Sequence, residues 1–232
     1  MASLPARALG VITSPRTTLA DVVAAPKWWG VLLLTTVVTF ACSAAVLRTE
    51  VGRMALVDEW ERTAIAFGGD VSDAQYTRLQ DLSQYGVGYA AMTSLLNGPV
   101  LVLVLAGVLT FVARATFRAD VTFQQVLALV AHSGVILMLR QVISAPVHYF
   151  SESLTSPTTM IRLAGTLDES SPLARFLGAV DAFVIWWIVV LAVGVAIAVR
   201  RPVRPVALAF AGIYVALAVL LAVAMALTGG TA

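Results

Sequence analysis

Four polar residues interrupt otherwise apolar stretches of this chain and are the ones best placed to do chemistry: Asn97, His132, Arg140 and Asp181. A charge at the centre of a membrane-spanning helix costs at least about 2.5–3.5 kcal/mol on insertion scales, so an ionisable residue there is a functional candidate from the outset. Arg140 is expected near the outer end of the third apolar stretch and Asp181 at the outer end of the fourth. Those stretches run in opposite directions, which brings the two residues to similar depth. One expectation is an ion pair between them. The other is that Arg140 snorkels to the outer interface and Asp181 meets water. His132 and Asn97 both count to near mid-depth. Asn97 immediately precedes Gly98-Pro99, where proline removes a backbone donor and glycine loosens the turn, a candidate helix break. Interhelical hydrogen bonding is one reading of these two residues. A polar site at a broken helix is the other.

The familiar catalytic constellations are missing. The chain has no His-Glu-x-x-His, no Gly-x-Ser-x-Gly and no phosphate-binding glycine loop ending in lysine. Its only lysine is Lys27, its histidines are His132 and His148, and its single cysteine is Cys42. That set makes no standard zinc site and no disulfide framework. Catalytic, metal-binding and cofactor-binding residues are therefore expected to be none. Cys42 reads as a small apolar core residue.

The elements that position these residues follow from composition. Of 232 residues, 59% are hydrophobic and only 12% charged, with mean hydropathy +0.90. So few charges could not cover the surface of a soluble domain, which excludes a cytosolic enzyme, a disordered tail and a nucleic-acid-binding module. A helix crosses the hydrocarbon core with about 20 mainly apolar residues. Five stretches meet that length, near 28–46, 89–112, 123–143, 180–199 and 206–227. They are continuous rather than alternating, so helices are expected and a barrel is excluded. The reading is an all-α polytopic membrane protein, a single domain over 1–232 built as a five-helix bundle. Orientation comes from the density of Lys and Arg. Arg7, Arg16, Lys27, Arg114, Arg118, Arg200, Arg201 and Arg204 fall in short segments on one side, whereas Arg48, Arg53, Arg62, Arg78, Arg162 and Arg175 are spread over two long loops on the other. The N-terminus is read as cytoplasmic and the C-terminus as outside.

Outside the spans, Ser14-Pro15 predicts a capped helix start, Leu19, Val22 and Val23 form one apolar face, and Pro26 ends the helix. That helix lies at the membrane interface or docks on the bundle. Residues 48–88 predict a helical hairpin: an apolar pattern through Met54, Val57 and Trp60, a turn at Gly68-Gly69-Asp70, and a capping box at Ser72-x-x-Gln75. The loop 151–176 is rich in Ser, Thr and Pro and reads as less ordered, with a short helix near 173–177. Ala218, Ala222 and Ala226, and likewise Gly194 and Ala198, repeat at i+4; such spacing lets helices approach closely, within the chain or between copies.

Several blocks together resemble a known family. They are the start Ser14-Pro15-Arg16-x-Thr18 with Pro26-Lys27-Trp28-Trp29, the third-span start Thr122-Phe123-Gln124-Gln125, and Asp181-x-Phe183-x-x-Trp186 in the fourth span. Their order around five spans resembles the Yip family of Ypt/Rab-interacting membrane proteins, in its bacterial branch. The resemblance implies family-pattern roles for Ser14, Pro15, Pro26, Trp28, Phe123, Asp181, Phe183 and Trp186. It implies a non-enzymatic membrane adaptor or assembly partner in the bacterial plasma membrane, an accessory to an ABC exporter or a self-associating protein. Eukaryotic members bind small GTPases with longer cytoplasmic N-terminal regions; the roughly 27 residues before the first span here count against that partner. The alternative reading is a small transporter or channel subunit using Asn97, His132, Arg140 and Asp181.

Overall fold

The computed structural model describes residues 3–160, 162 and 172–228. Of the described residues 83% are helical, and the only strand-like feature among them is an isolated antiparallel bridge between Thr159 and Asp181. In chain order the helices are α1 (Leu4–Thr13), α2 (Pro15–Ala24), α3 (Trp29–Leu47), α4 (Glu50–Ala66) and α5 (Asp73–Ser83). There follow α6 (Gly86–Phe117) and α7 (Phe123–Phe150), then α8 (Pro172–Ala179), α9 (Ala182–Ala198) and α10 (Val203–Thr228). Among the described residues, α3, α6, α7 and α10 are long and apolar enough to cross a membrane. The expected fourth span, α9, has 17 residues, about 25 Å of helix and the short end of what spans a bilayer. The chain is a multi-pass membrane protein.

Two compact units share these helices. The first comprises Met1–Thr39, Met92–Arg140 and Phe183–Gly212; the second comprises Phe40–Ala91, Gln141–Ala182 and Ile213–Ala232.

In the first unit, α1 and α2 form a hairpin whose apolar faces join the core. Val11, Leu19 and Val22 are fully buried with Leu129, Ile136 and Val190. Of the two positions expected for the N-terminal helix, docking on the bundle is the one observed. The glutamines at the start of α7 hold the end of that hairpin: Gln125 Nε2 donates to the Val23 carbonyl (3.2 Å) and Gln124 Nε2 to that of Pro26 (3.3 Å). Gly194 lets α9 approach closely, since a Cβ there would stand 2.8 Å from Leu129 Cδ2. Leu129 is fully buried and has little room to move aside.

In the second unit, α4 and α5 make the expected hairpin. Gly68 turns at φ 78°, and the Ser72–Gln75 capping box closes in both directions. Leu47, Leu56 and Ala90 form a small core, with Trp60 edge-on to Tyr89 at 5.6 Å.

Several expectations need correction. Helix α1 was not anticipated. Ser14 precedes α2 but makes no side-chain cap, because its backbone (φ −147°, ψ 61°) is shaped by the turn out of α1. At Gly98-Pro99 the regular α-helical winding of α6 is interrupted: a π-helical stretch runs over Met92–Asn97, and α-helical winding restarts at Gly98, so Pro99 stands in the first turn of the restarted segment, where a missing N–H costs least. Helix α7 runs to Phe150 past Pro146, so Arg140 lies ten residues inside its end, about 15 Å, rather than near the end. In the long loop, residues 161 and 163–171 lie outside the described residues, including Asp168 and Glu169. The stretch 156–160 is not loose: Ala182 N–H donates to the Thr158 carbonyl (3.0 Å) and Met160 N–H to that of Val180 (2.8 Å). Along α10, Ala218 and Ala222 are buried while Ala226 is exposed.

Candidate functional site

The buried polar groups of the first unit are Arg7 on α1, Ser94 and Thr110 on α6, and His132 and Ser133 on α7. His132 is 2% exposed, and its Nδ1 lies 2.7 Å from the Ala128 carbonyl one turn earlier. A carbonyl only accepts, so Nδ1 carries the proton and donates. This bond stays within one helix, so it is not the interhelical link expected of His132. The cross-helix link is made next door. Trp187 Nε1 donates to Ser133 Oγ (3.1 Å), and that hydroxyl donates onward to the Val130 carbonyl (2.9 Å).

Arg7, on α1, is 7% exposed. One terminal nitrogen reaches the Ala25 carbonyl at 3.4 Å, a long bond, and Nε has no partner. Ala25 is the C-cap of α2, one of the few carbonyls not consumed inside a helix, and Lys27 N–H also donates to it. Among the described residues no carboxylate lies within ion-pair distance of Arg7.

The second unit holds Asp181, 5% exposed, immediately before α9, where a carboxylate complements the helix N-terminus. Its Oδ2 accepts from the hydroxyls of Ser156 and Thr158, both at 2.7 Å. Its N–H donates to Tyr214 Oη (3.0 Å), which in turn donates to the Ala179 carbonyl (3.0 Å). The network ties the loop before α8 and the middle of α10 to the start of α9.

Asn97 is exposed on α6. Arg140 is partly buried on α7 and belongs to the first unit, whereas Asp181 belongs to the second. Trp28, Phe183 and Trp186 pack onto the first unit's core, and Phe183 lies 5.8 Å from Trp186. Phe123 is 42% exposed at the start of α7. Cys42 is half-buried in α3. Sequence reasoning missed Arg7 as a buried group, and Ser133, Ser156, Thr158, Trp187 and Tyr214 as partners. The tryptophan next to Trp186 was the one available signal, since an indole N–H in a membrane helix needs an acceptor.

The docked N-terminal hairpin, the α7 start and the α9 block are the parts that the sequence resemblance rested on, and a family model agrees. The Yip1 domain matches residues 9–225. The chain belongs to the Yip1-domain family. The match covers all the membrane helices except the last residues of α10 and leaves out Arg7 and most of the first turn and a half of α1. Neither the comparison with curated proteins nor that with solved structures returned a match.

Proposed function

We propose that this Yip1-domain chain is a non-enzymatic adaptor or assembly partner of other membrane proteins, seated in a bacterial plasma membrane with its N-terminus cytoplasmic and its C-terminus outside. An ABC exporter is the class of partner its family resemblance favours. The observation that carries the reading is Asn97. Its amide lies on an exposed, otherwise apolar face of α6 with Leu101, Val104 and Val108, which are 65%, 57% and 53% exposed. An amide facing hydrocarbon gains by meeting a polar group on another helix, a contact worth about 0.6 kcal/mol on average in membranes. Only 17% of the most apolar stretch of α6 is buried within the chain.

The test places a single cysteine at Val104, in a Cys42→Ser background, and crosslinks in native membranes before mild-detergent purification. A second membrane protein should be captured, and Asn97→Leu should reduce its recovery. Repeated recovery of the chain alone and monomeric overturns the adaptor reading. Orientation is tested separately by reporter fusions after Asp81 and after Arg201, which should report opposite sides; the same side for both overturns the layout.

A further inference from the structure

At the end of α6, in the first unit, a cleft of about 530 Å³ is lined by Gly107, Thr110, Phe111, Arg114, Ala115 and Phe123. We propose that it binds an anionic glycerophospholipid, with the headgroup phosphate on Arg114 and an acyl chain lying along Gly107 and Phe111.

Depth is the first argument. Helix α6 has 32 residues, about 48 Å, which exceeds a hydrocarbon core of about 30 Å and carries its ends into the headgroup layer. Arg114 lies three residues before that end. Gly107 lies two turns deeper, about 10 Å into the hydrocarbon. The cleft therefore runs from a guanidinium at headgroup level to open apolar surface below it, which follows the outline of one phospholipid.

Chemistry is the second. Arg114 Nε donates to the Val121 carbonyl at 2.9 Å, which fixes the plane of the guanidinium. Both terminal nitrogens are left for a ligand, and among the described residues no carboxylate pairs with them. A planar fork of charged donors matches a phosphodiester. Arg118 is exposed and adds a second positive charge just past the helix end. Thr110 spends its hydroxyl proton on the Ala106 carbonyl (2.6 Å), so it contributes no competing donor along the wall. Basic pockets at the ends of membrane helices are where anionic headgroups settle.

Shape is the third. Among the described residues, a Cβ added at Gly107 would meet nothing within 4 Å, so the glycine leaves open space beside it. Phe111 is 71% exposed and forms one bank of that space. The cleft lies about a quarter-turn round α6 from Asn97, Leu101 and Val104, so a lipid here leaves the proposed partner face open.

The test uses the full chain, delipidated in detergent and offered equimolar phosphatidylglycerol and phosphatidylcholine, with bound lipid counted by native mass spectrometry. The chain should retain one phosphatidylglycerol in preference to phosphatidylcholine. Gly107→Leu places a side chain in the cleft from a position where an added Cβ meets nothing within 4 Å, and Arg114→Gln removes the charge. Each should lower phosphatidylglycerol occupancy about tenfold, as expected for losing one charge-assisted contact or the space beside it. Arg204→Gln, an exposed charge elsewhere, should change nothing. Undiminished retention in both cleft variants overturns the proposal, as it would if a protein helix were the true occupant. Loss in Arg114→Gln and Arg204→Gln alike, with Gly107→Leu unaffected, overturns it in favour of diffuse surface charge.

Discussion

Arg7 in the first unit and Asp181 in the second are buried to nearly the same degree, 7% and 5% exposed, yet their surroundings differ sharply. The carboxylate of Asp181 accepts from two hydroxyls at 2.7 Å, and its own N–H continues the network through Tyr214. The guanidinium of Arg7 has one long bond to a carbonyl and an unpartnered Nε. The difference follows from what a helical membrane protein has to offer. Donors for an anion come from Ser and Thr hydroxyls, which rotate to suit. Acceptors for a cation are carbonyls, and in helices these are consumed except in the last turn. Asp181 can thus act as a structural lock, while Arg7 is held in place mainly by the packing of α1.

The comparison can be broken at either end. The largest effect is expected at the lock. Asp181→Ala leaves two partly buried hydroxyls without their acceptor and leaves the 156–160 stretch held there by its backbone bonds to Val180 and Ala182. It should cost about 3 kcal/mol, since each hydrogen bond to a charged group contributes about 1.5–3 kcal/mol. Thermal unfolding in detergent should show it as a clear drop in Tm. Asp181→Asn keeps the size and one acceptor oxygen, and should cost about half as much. If the two variants lose equally, charge rather than hydrogen-bond count governs the site. The smallest effect is expected at Arg7→Met. Exchanging a poorly paired buried charge for an apolar side chain of similar reach is often neutral or stabilising by about 1 kcal/mol or more. A Tm unchanged or raised sustains the contrast. A loss as large as that of Asp181→Ala would show that Arg7 is as firmly held as Asp181, and the comparison would fall.

The Yip1-domain assignment changes how the two regions are weighed. The match begins at residue 9, so Arg7 precedes the matched region while Asp181 lies well inside it. A lock inside the family's domain, joining the α9 start to a loop and to α10, accounts for why the Asp181-x-Phe183-x-x-Trp186 block stood out in the sequence. Phe183 and Trp186 pack onto the first unit's core, and in the second unit Asp181 binds the loop hydroxyls. The Gln124-Gln125 pair stood out for a related reason: it holds the end of α2 against the start of α7.

Much of the layout was readable from local pattern. The apolar lengths gave the membrane helices, and the α4–α5 hairpin was legible because a capping box and a glycine turn act over three or four residues. Local pattern was less exact elsewhere. Gly98-Pro99 marks an interruption of the α-helical winding, but it takes the form of a π stretch just before the pair, and no residue preference announces a π stretch. Helix α1 does carry an apolar face, with Ala8 and Val11 buried, and a capping Ser3, but ten residues make a marginal helix in isolation, and its docking supplies the rest.

The sequence by itself determined that this chain lives in a membrane, because the transfer of about 20 consecutive apolar residues into lipid depends on those residues alone. Only the tertiary structure decided which polar groups meet. Asp181 finds Ser156 25 positions away and Tyr214 33 away, and Trp187 finds Ser133 54 away. In the bilayer interior a hydroxyl, an indole N–H and a carboxylate each need a partner, but nothing in the order of residues names which one. That choice is made when helices pack and bring a few polar side chains within hydrogen-bonding distance of each other in a solvent that offers no alternative.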